Sequence, residues 1–371
     1  MYKALDKWLP AYLRRKRRLP PTDGPTDILI CVCDHFEPFH DTDKDGALAR
    51  LDSWIEKFPP LIRDFKDADG IRPRHTFFYP IEQYDRDVID RLEKLCDASG
   101  GEVEIHLHHN NDTPEGLREK LDQGISDFRK HGFLSRDPAG AIRYAFIHGD
   151  WALDDSHPDA RHCGVRNELR HLRESGCYAD FTMPSAPSPT QTRTINSLYY
   201  AKSSDRPKSH DTGERASAGD ATHTYRDDPE RLLLIQGPLG LNWERRKRGV
   251  IPRIENGDLT SVNPPTMDRL RLWLRLHNHV VGRPDTLFIK LHTHGAIDRN
   301  SSVFLGNPYR IFHEELLRTY NDGERYRVHY VTARESANIL HALEDGKTGS
   351  PGQYRDYLYK LAGKPEADRG A

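Results

Sequence analysis

Apolar runs of strand length recur along the chain, and most are followed by a stretch whose apolar residues fall at helical spacing. The strand candidates are residues 27–33 (DILICVC), 74–80 (RHTFFYP), the start of 102–112 (EVEIHLHHNND), 142–148 (IRYAFIH), 176–182 (GCYADFT), 232–239 (LLLIQGPL), 286–291 (TLFIKL) and 326–332 (YRVHYVT). A shorter one covers 198–201. Helical spacing is carried by Leu48, Leu51 and Ile55, by Val88, Ile89, Leu92 and Leu95, and by Leu117, Leu121, Ile125 and Phe128. Residues 168–175, 266–279, 309–320 and 333–344 complete the helices. Thr113-Pro114 supplies a cap and a first-turn proline, and Gly100-Gly101 a stop. This alternation predicts a parallel α/β fold, a (β/α) barrel of about seven strands, with an open doubly wound sheet as the other arrangement the pattern allows.

Polar residues collect just past the strands. Four ends present Asp34/His35/Glu37, His106/His108/Asp112, His148/Asp150/Trp151 and His292/His294. Read with period two, Val103, Ile105 and Leu107 leave one side of their strand while Glu104, His106 and His108 leave the other; Lys290, His292 and His294 likewise share a side. In a parallel sheet these ends lie together, and unpaired buried His and Asp would cost several kcal/mol unless they satisfy one another or a cation. A divalent metal ion is the economical partner, and His with carboxylate and no thiolate points first to Zn²⁺.

Composition narrows the alternatives. The chain has 371 residues, 20 histidines and a net charge of -2, so no polyelectrolyte field argues for nucleic acid. Five cysteines without a CxxC pair speak against a thiolate zinc site and against a disulfide framework, which fits a reducing compartment. No apolar run reaches the roughly 20 residues of a membrane span. Residues 1–20 join an apolar stripe (Leu5, Trp8, Leu9, Tyr12, Leu13) to a basic block (Arg14, Arg15, Lys16, Arg17, Arg18). Two readings stay open for it: a helix packed on its own domain, or peripheral contact with an anionic membrane surface. Neither GxGxxG, GxxxxGK[ST] nor GxSxG occurs, so dinucleotide, P-loop and serine-nucleophile chemistry have no motif behind them.

Four stretches occur in an order that resembles the polysaccharide deacetylase family, the NodB-homology fold of carbohydrate esterase family 4. They are residues 30–34 ending in Asp34, Thr76-Phe77-Phe78, residues 104–112, and Lys290-Leu291-His292. The resemblance spans roughly residues 25–345 and implies a NodB-like distorted barrel that removes acetyl groups, N-acetyl ahead of O-acetyl, from a polysaccharide or glycoconjugate. It implies His108 and Asp112 as metal ligands, with His106 where the family has Gly, either a third ligand or a support for His108. The family's Asp-Asp is Asp34-His35 here: either Asp34 is the base and His35 a ligand, or Asp34 is a ligand and Glu37 the base. His292 matches the general acid, with His294 as its rival. His148-Gly149-Asp150-Trp151 replaces the family's Arg-x-Pro-Tyr, so that Trp151 would stack on a sugar face while Glu37, His148 and Asp150 bind its polar groups. These departures also imply an alternative, a lapsed relative that binds saccharide or partners without turnover.

The expectation is therefore a basic amphipathic segment over 1–24, one domain over 25–345 with a polar excursion at 203–231, and a polar tail over 346–371. Its location would be cytoplasmic, with any membrane contact at the inner face through residues 1–20.

Overall fold

A computed structural model describes residues 2–15, 24–219 and 221–364. The elements in chain order are α1 (Leu5–Arg14), β1 (Thr26–His35), α2 (Lys44–Ile62), β2 (His75–Pro80), α3 (Arg86–Ser99), β3 (Glu102–Leu107), α4 (Pro114–Lys130), β4 (Ser135–Arg136), β5 (Ile142–His148), α5 (Glu168–Glu174) and β6 (Cys177–Asp180). There follow β7 (Leu198–Lys202), β8 (Glu214–Arg215), β9 (Arg231–Ile235), β10 (Gly240–Lys247), β11 (Ile251–Glu255), α6 (Met267–Leu276), β12 (Thr286–Thr293), α7 (Asp298–Phe304), α8 (Asn307–Tyr320), β13 (Tyr326–Tyr330), α9 (Ala333–Glu344) and β14 (Lys360–Leu361).

The central sheet is mostly parallel and runs β12-β1-β2-β3-β5-β6-β9-β7-β8. β1, β2, β3, β5, β6, β9, β12 and β13 pair in parallel, whereas β7 joins β9 antiparallel. β1 has three neighbours: β12 along one edge, and on the other β13 beside its first half and β2 beside its second.

Helix ends follow their cap residues. Asp43 accepts from Gly46 N at 3.0 Å at the start of α2, Thr113 from Gly116 N at 3.1 Å at α4, and Thr332 with Glu335 forms a capping box at α9. α3 stops where Gly100 takes φ 74°. The apolar stripe of α2, Ala47, Leu51, Trp54, Phe58 and Ile62, is buried against one face of the sheet, where Trp54 meets Phe36 and Phe77 edge-on. Full burial of one such large side chain contributes about 2–3 kcal/mol.

Strand parity divides the core. Ile28 and Ile30 of β1, Val103, Ile105 and Leu107 of β3, and Tyr144 and Phe146 of β5 join the cluster under α2, α3, α4 and α8. Leu29, Cys31 and Cys33 of β1, with Ala145 and Ile147 of β5, join a second cluster under α9 on the opposite face. The polar residues of β3 and, in β12, Lys290 and His292, which share the parity of Phe288, belong to that second face.

Several expectations change here. α1 packs its Trp8 and Tyr12 against Leu239, Leu272 and Leu276, which is the packed-helix reading for residues 2–15; residues 16–23, with most of the basic block, lie outside the described residues. Beyond Asp345 the chain is not merely a polar tail. Tyr359 stacks on Tyr178 at 4.7 Å, β14 pairs with β4, and Arg355 bonds Glu335 and Asp69 at 2.9 and 2.8 Å; residues 365–371 lie outside the described residues. The polar excursion at 203–231 contributes β8 to the sheet and buries His210 and Ala216. The β10–β11 hairpin and α7 have no counterpart in the sequence expectation, because the hairpin is too rich in Arg and Lys to show an apolar period.

Candidate metal centre

The ends of β1, β3 and β12 open into a pocket of about 320 Å³ lined by His35, Glu37, His106, His108, Asp150, Trp151 and His294. His35 and Glu37 lie two apart on the continuation of β1, His106 and His108 two apart at the end of β3, so each pair projects toward the same side.

Glu37 is the hub. Its Oε1 lies 3.3 Å from His106 Nε2 and 3.1 Å from His108 Nε2, and its Oε2 lies 2.9 Å from His294 Nδ1. One donor atom from each of Glu37, His106 and His108 falls within 4.8 Å of the others. The opposite nitrogens are already engaged: His106 Nδ1 lies 2.8 Å from Ile147 O and His108 Nδ1 2.7 Å from Glu82 Oε1. A carbonyl oxygen only accepts, so His106 carries its hydrogen on Nδ1 and aims the Nε2 lone pair at a carboxylate oxygen. Two lone-pair-bearing groups facing one another in a buried site call for a proton or a metal ion between them. The donor set fits such an ion: two imidazoles with outer hydrogen bonds and one carboxylate, with one side open to the pocket.

Burial by itself would raise the Glu37 carboxyl, but its contacts with the His106, His108 and His294 imidazoles outweigh it and hold the group ionised well below the usual carboxylate range. Burial disfavours charge on His108 too, yet Glu37 and Glu82 win and raise it to about 10. His35 goes the other way: burial, then the neighbouring imidazoles, keep it neutral. Its Nε2 is buried with no hydrogen-bond partner among the described residues, and its ring centroid is 4.7 Å from that of His294 and 5.0 Å from that of His106.

Other expected site residues sit elsewhere, for reasons of parity. Asp34, next to His35, faces the helix-covered side: its Oδ2 meets His75 Nδ1 at 3.2 Å, its Oδ1 accepts from Gly295 N at 2.6 Å, and it does not line the pocket. His148 shares the side of Tyr144 and Phe146 and turns to Glu168 instead of the pocket. His292 has the right parity but lies deeper, 4% exposed and with its ring 6.2 Å from His35, so His294 is the member of that pair at the pocket. Asp112 is not a donor beside His108; its Oδ2 meets Lys120 Nζ at 2.8 Å and His109 Nδ1 at 3.1 Å. Asp150 and Trp151 line the wall, with Trp151 edge-on to His294 at 6.3 Å.

Glu82, on the turn after β2, had no place in the sequence expectation. Its signal was Ile-Glu directly after a strand end, the same pattern that marked the other ends. No protein-family model matches the chain, and the search of curated proteins found no match.

Proposed function

We propose that the chain is a metal-dependent hydrolase that removes acetyl groups from a saccharide, N-acetyl in preference to O-acetyl, with Zn²⁺ as the ion. The observation that carries this reading is the convergence of His106 Nε2, His108 Nε2 and Glu37 Oε1 at the floor of a pocket walled by Trp151. A divalent ion there supplies a Lewis acid and lowers the pKa of a bound water toward about 7.

The chain's own groups account for the rest. Glu37 Oε2 accepts from His294 Nδ1, which fixes the His294 tautomer and leaves Nε2 to give or take a proton at the reacting group. His35, held neutral, places a buried Nε2 with no hydrogen-bond partner among the described residues beside it. The Trp151 ring gives a sugar an apolar face to stack on, and Asp150 an acceptor for its hydroxyls. Charge would develop on a carbonyl oxygen beside the half-buried His294 and Trp151, where fixed dipoles act more strongly than in bulk.

The same reading takes the parallel sheet as a distorted barrel. Asn278 supports it by linking the two ends: its side chain donates to Gln236 O after β9 at 2.7 Å, and its own carbonyl accepts from Phe288 N of β12 at 2.8 Å. A cytoplasmic location is supported by five free, buried cysteines.

One observation favours a second reading, a saccharide-binding protein without turnover: Asp34, at the position of the family's base, is committed to His75 and Gly295. Acetate release from a panel of acetylated saccharides, with Zn²⁺ added and with the His108→Ala chain as control, separates the two. Release by the wild type and none by the variant is expected; a Zn²⁺-loaded wild type that binds saccharide but releases no acetate overturns the hydrolase.

A further inference from the structure

Beside the pocket, four buried side chains from four segments turn on one another: His109 just after β3, His148 at the end of β5, Cys163 in the following connection, and Glu168 at the start of α5. One donor atom from each lies within 4.8 Å of all the rest. His109 Nε2 is 3.0 Å and His148 Nε2 3.4 Å from Glu168 Oε1, and Cys163 Sγ is 3.7 Å from Glu168 Oε2. Donors around a tetrahedral ion with bonds of about 2.0–2.3 Å stand about 3.3–3.7 Å apart, so the spacing nearly matches a coordination shell.

Hydrogen bonding within the group leaves it incomplete. His148 Nδ1 lies 2.6 Å from Gly149 O, an acceptor only, so its hydrogen is on Nδ1 and the Nε2 lone pair faces a carboxylate. That Nε2 is fully buried with no hydrogen-bond partner among the described residues. Glu168 Oε2 is already held by Asp154 N at 2.5 Å, which leaves Oε1 with the two imidazoles. A divalent cation resolves this: two neutral imidazoles, one thiolate and one carboxylate around a 2+ ion sum to zero charge, the state a fully buried site tolerates.

We propose that His109, His148, Cys163 and Glu168 hold a second ion, Zn²⁺, in a closed structural site distinct from the pocket. On binding, the Cys163 proton is released to solvent and the sulfur becomes a ligand as thiolate. The backbone is arranged for it. Asp112 N donates to Cys163 O at 2.9 Å, His162 N to Asn110 Oδ1 at 2.6 Å, and Gly164 at φ 99° brings its chain so close that a Cβ would fall 2.7 Å from Asp112 N. The ion would tie the connection carrying Asp150 and Trp151 to the end of β3, which places its role in holding the pocket wall. It stands whether or not the pocket is catalytic.

The test is metal analysis of the full chain together with Co²⁺ spectroscopy, using wild type, Cys163→Ser and His108→Ala. Two equivalents of metal are expected in the wild type and one in each variant. The Co²⁺-loaded wild type should show a near-ultraviolet sulfur-to-cobalt charge-transfer band that His108→Ala keeps and Cys163→Ser loses. One equivalent with the band retained supports this site and counts against the pocket ion. Absence of the band in the metal-loaded wild type overturns the proposal at any stoichiometry, and that measurement decides even where Cys163→Ser does not fold.

Discussion

Glu82 supports the pocket's donor set from outside, and replacing it by Ala tests the arrangement through two effects of opposite sign. Its Oε1 accepts from His108 Nδ1 at 2.7 Å and from His108 N at 3.3 Å. Losing the outer partner of a ligating histidine costs about 10–100-fold in metal affinity, or roughly 1.4–2.7 kcal/mol. In the metal-free chain, however, burial of His108 is outweighed by Glu37 and Glu82, which raise its pKa to about 10. An incoming ion must displace that proton, so wild-type binding should weaken by about tenfold for each pH unit below that value. Without Glu82 the proton is held less tightly and competes less. The Glu82→Ala chain is therefore expected to bind Zn²⁺ about 10–100-fold more weakly near pH 9, with the deficit shrinking toward pH 6. Competition against a calibrated chelator across that range measures it. Equal affinity near pH 9, or a deficit that does not change with pH, would refute the assignment of Glu82 and, with it, His108 as a ligand held from outside.

Trp151→Ala is expected to raise KM for a saccharide substrate by roughly 10-fold with a smaller change in kcat, read by steady-state acetate release; a fall in kcat alone would mean that the indole does not bind the sugar. Asp180 is buried, and burial outweighs its hydrogen bonds from Thr182, raising its pKa from 3.8 to about 7. Such a group stabilises the fold fully below the lower value and loses that contribution as pH rises through the upper one, up to roughly 4 kcal/mol. Asp180→Asn should therefore gain stability relative to wild type between about pH 4 and 7, measured by urea titration; parallel pH profiles would contradict this. Glu102 receives both ends of the buried Arg334 guanidinium, at 2.7 and 3.1 Å, and Glu102→Ala should cost about 3–5 kcal/mol, much of it recovered by adding Arg334→Met; a cost below about 1 kcal/mol would show that the pair is not needed.

The eight parallel strands were readable as short apolar or alternating runs, most of them set off by an amphipathic helix. What could not be read was which side of β1 faces which layer. After Asp27, the run ILICVC is apolar at every position, since both faces of a parallel strand are covered, so it carries no parity signal to tell Asp34 from His35. β3 is different. Its Glu-Val-Glu-Ile-His-Leu alternates, and the structure brings the two residues that share that polar side, His106 and His108, to one pocket. Asp112 and His148 were drawn toward the wrong neighbours because strand-end proximity was taken for convergence; His109, Cys163 and Glu168 come from three separate segments, and no local spacing announces them. The packed segment after Asp345 was missed because it is held by Arg355 and Tyr359 and shows no apolar period.

β1 is an early strand whose partners are mostly made late. Only its second half finds β2 nearby in the chain; β12 and β13, which flank the remainder, begin at Thr286 and Tyr326. During synthesis an almost wholly apolar strand must wait with one edge unpaired for about 250 further residues and half of the other for about 290, which makes contact order rather than local propensity the brake on folding. That waiting strand is the segment most in need of protection from pairing with another copy of itself. Destabilising changes in β12 or β13 should thus show first as lost yield of the whole chain, before any loss of the pocket's chemistry.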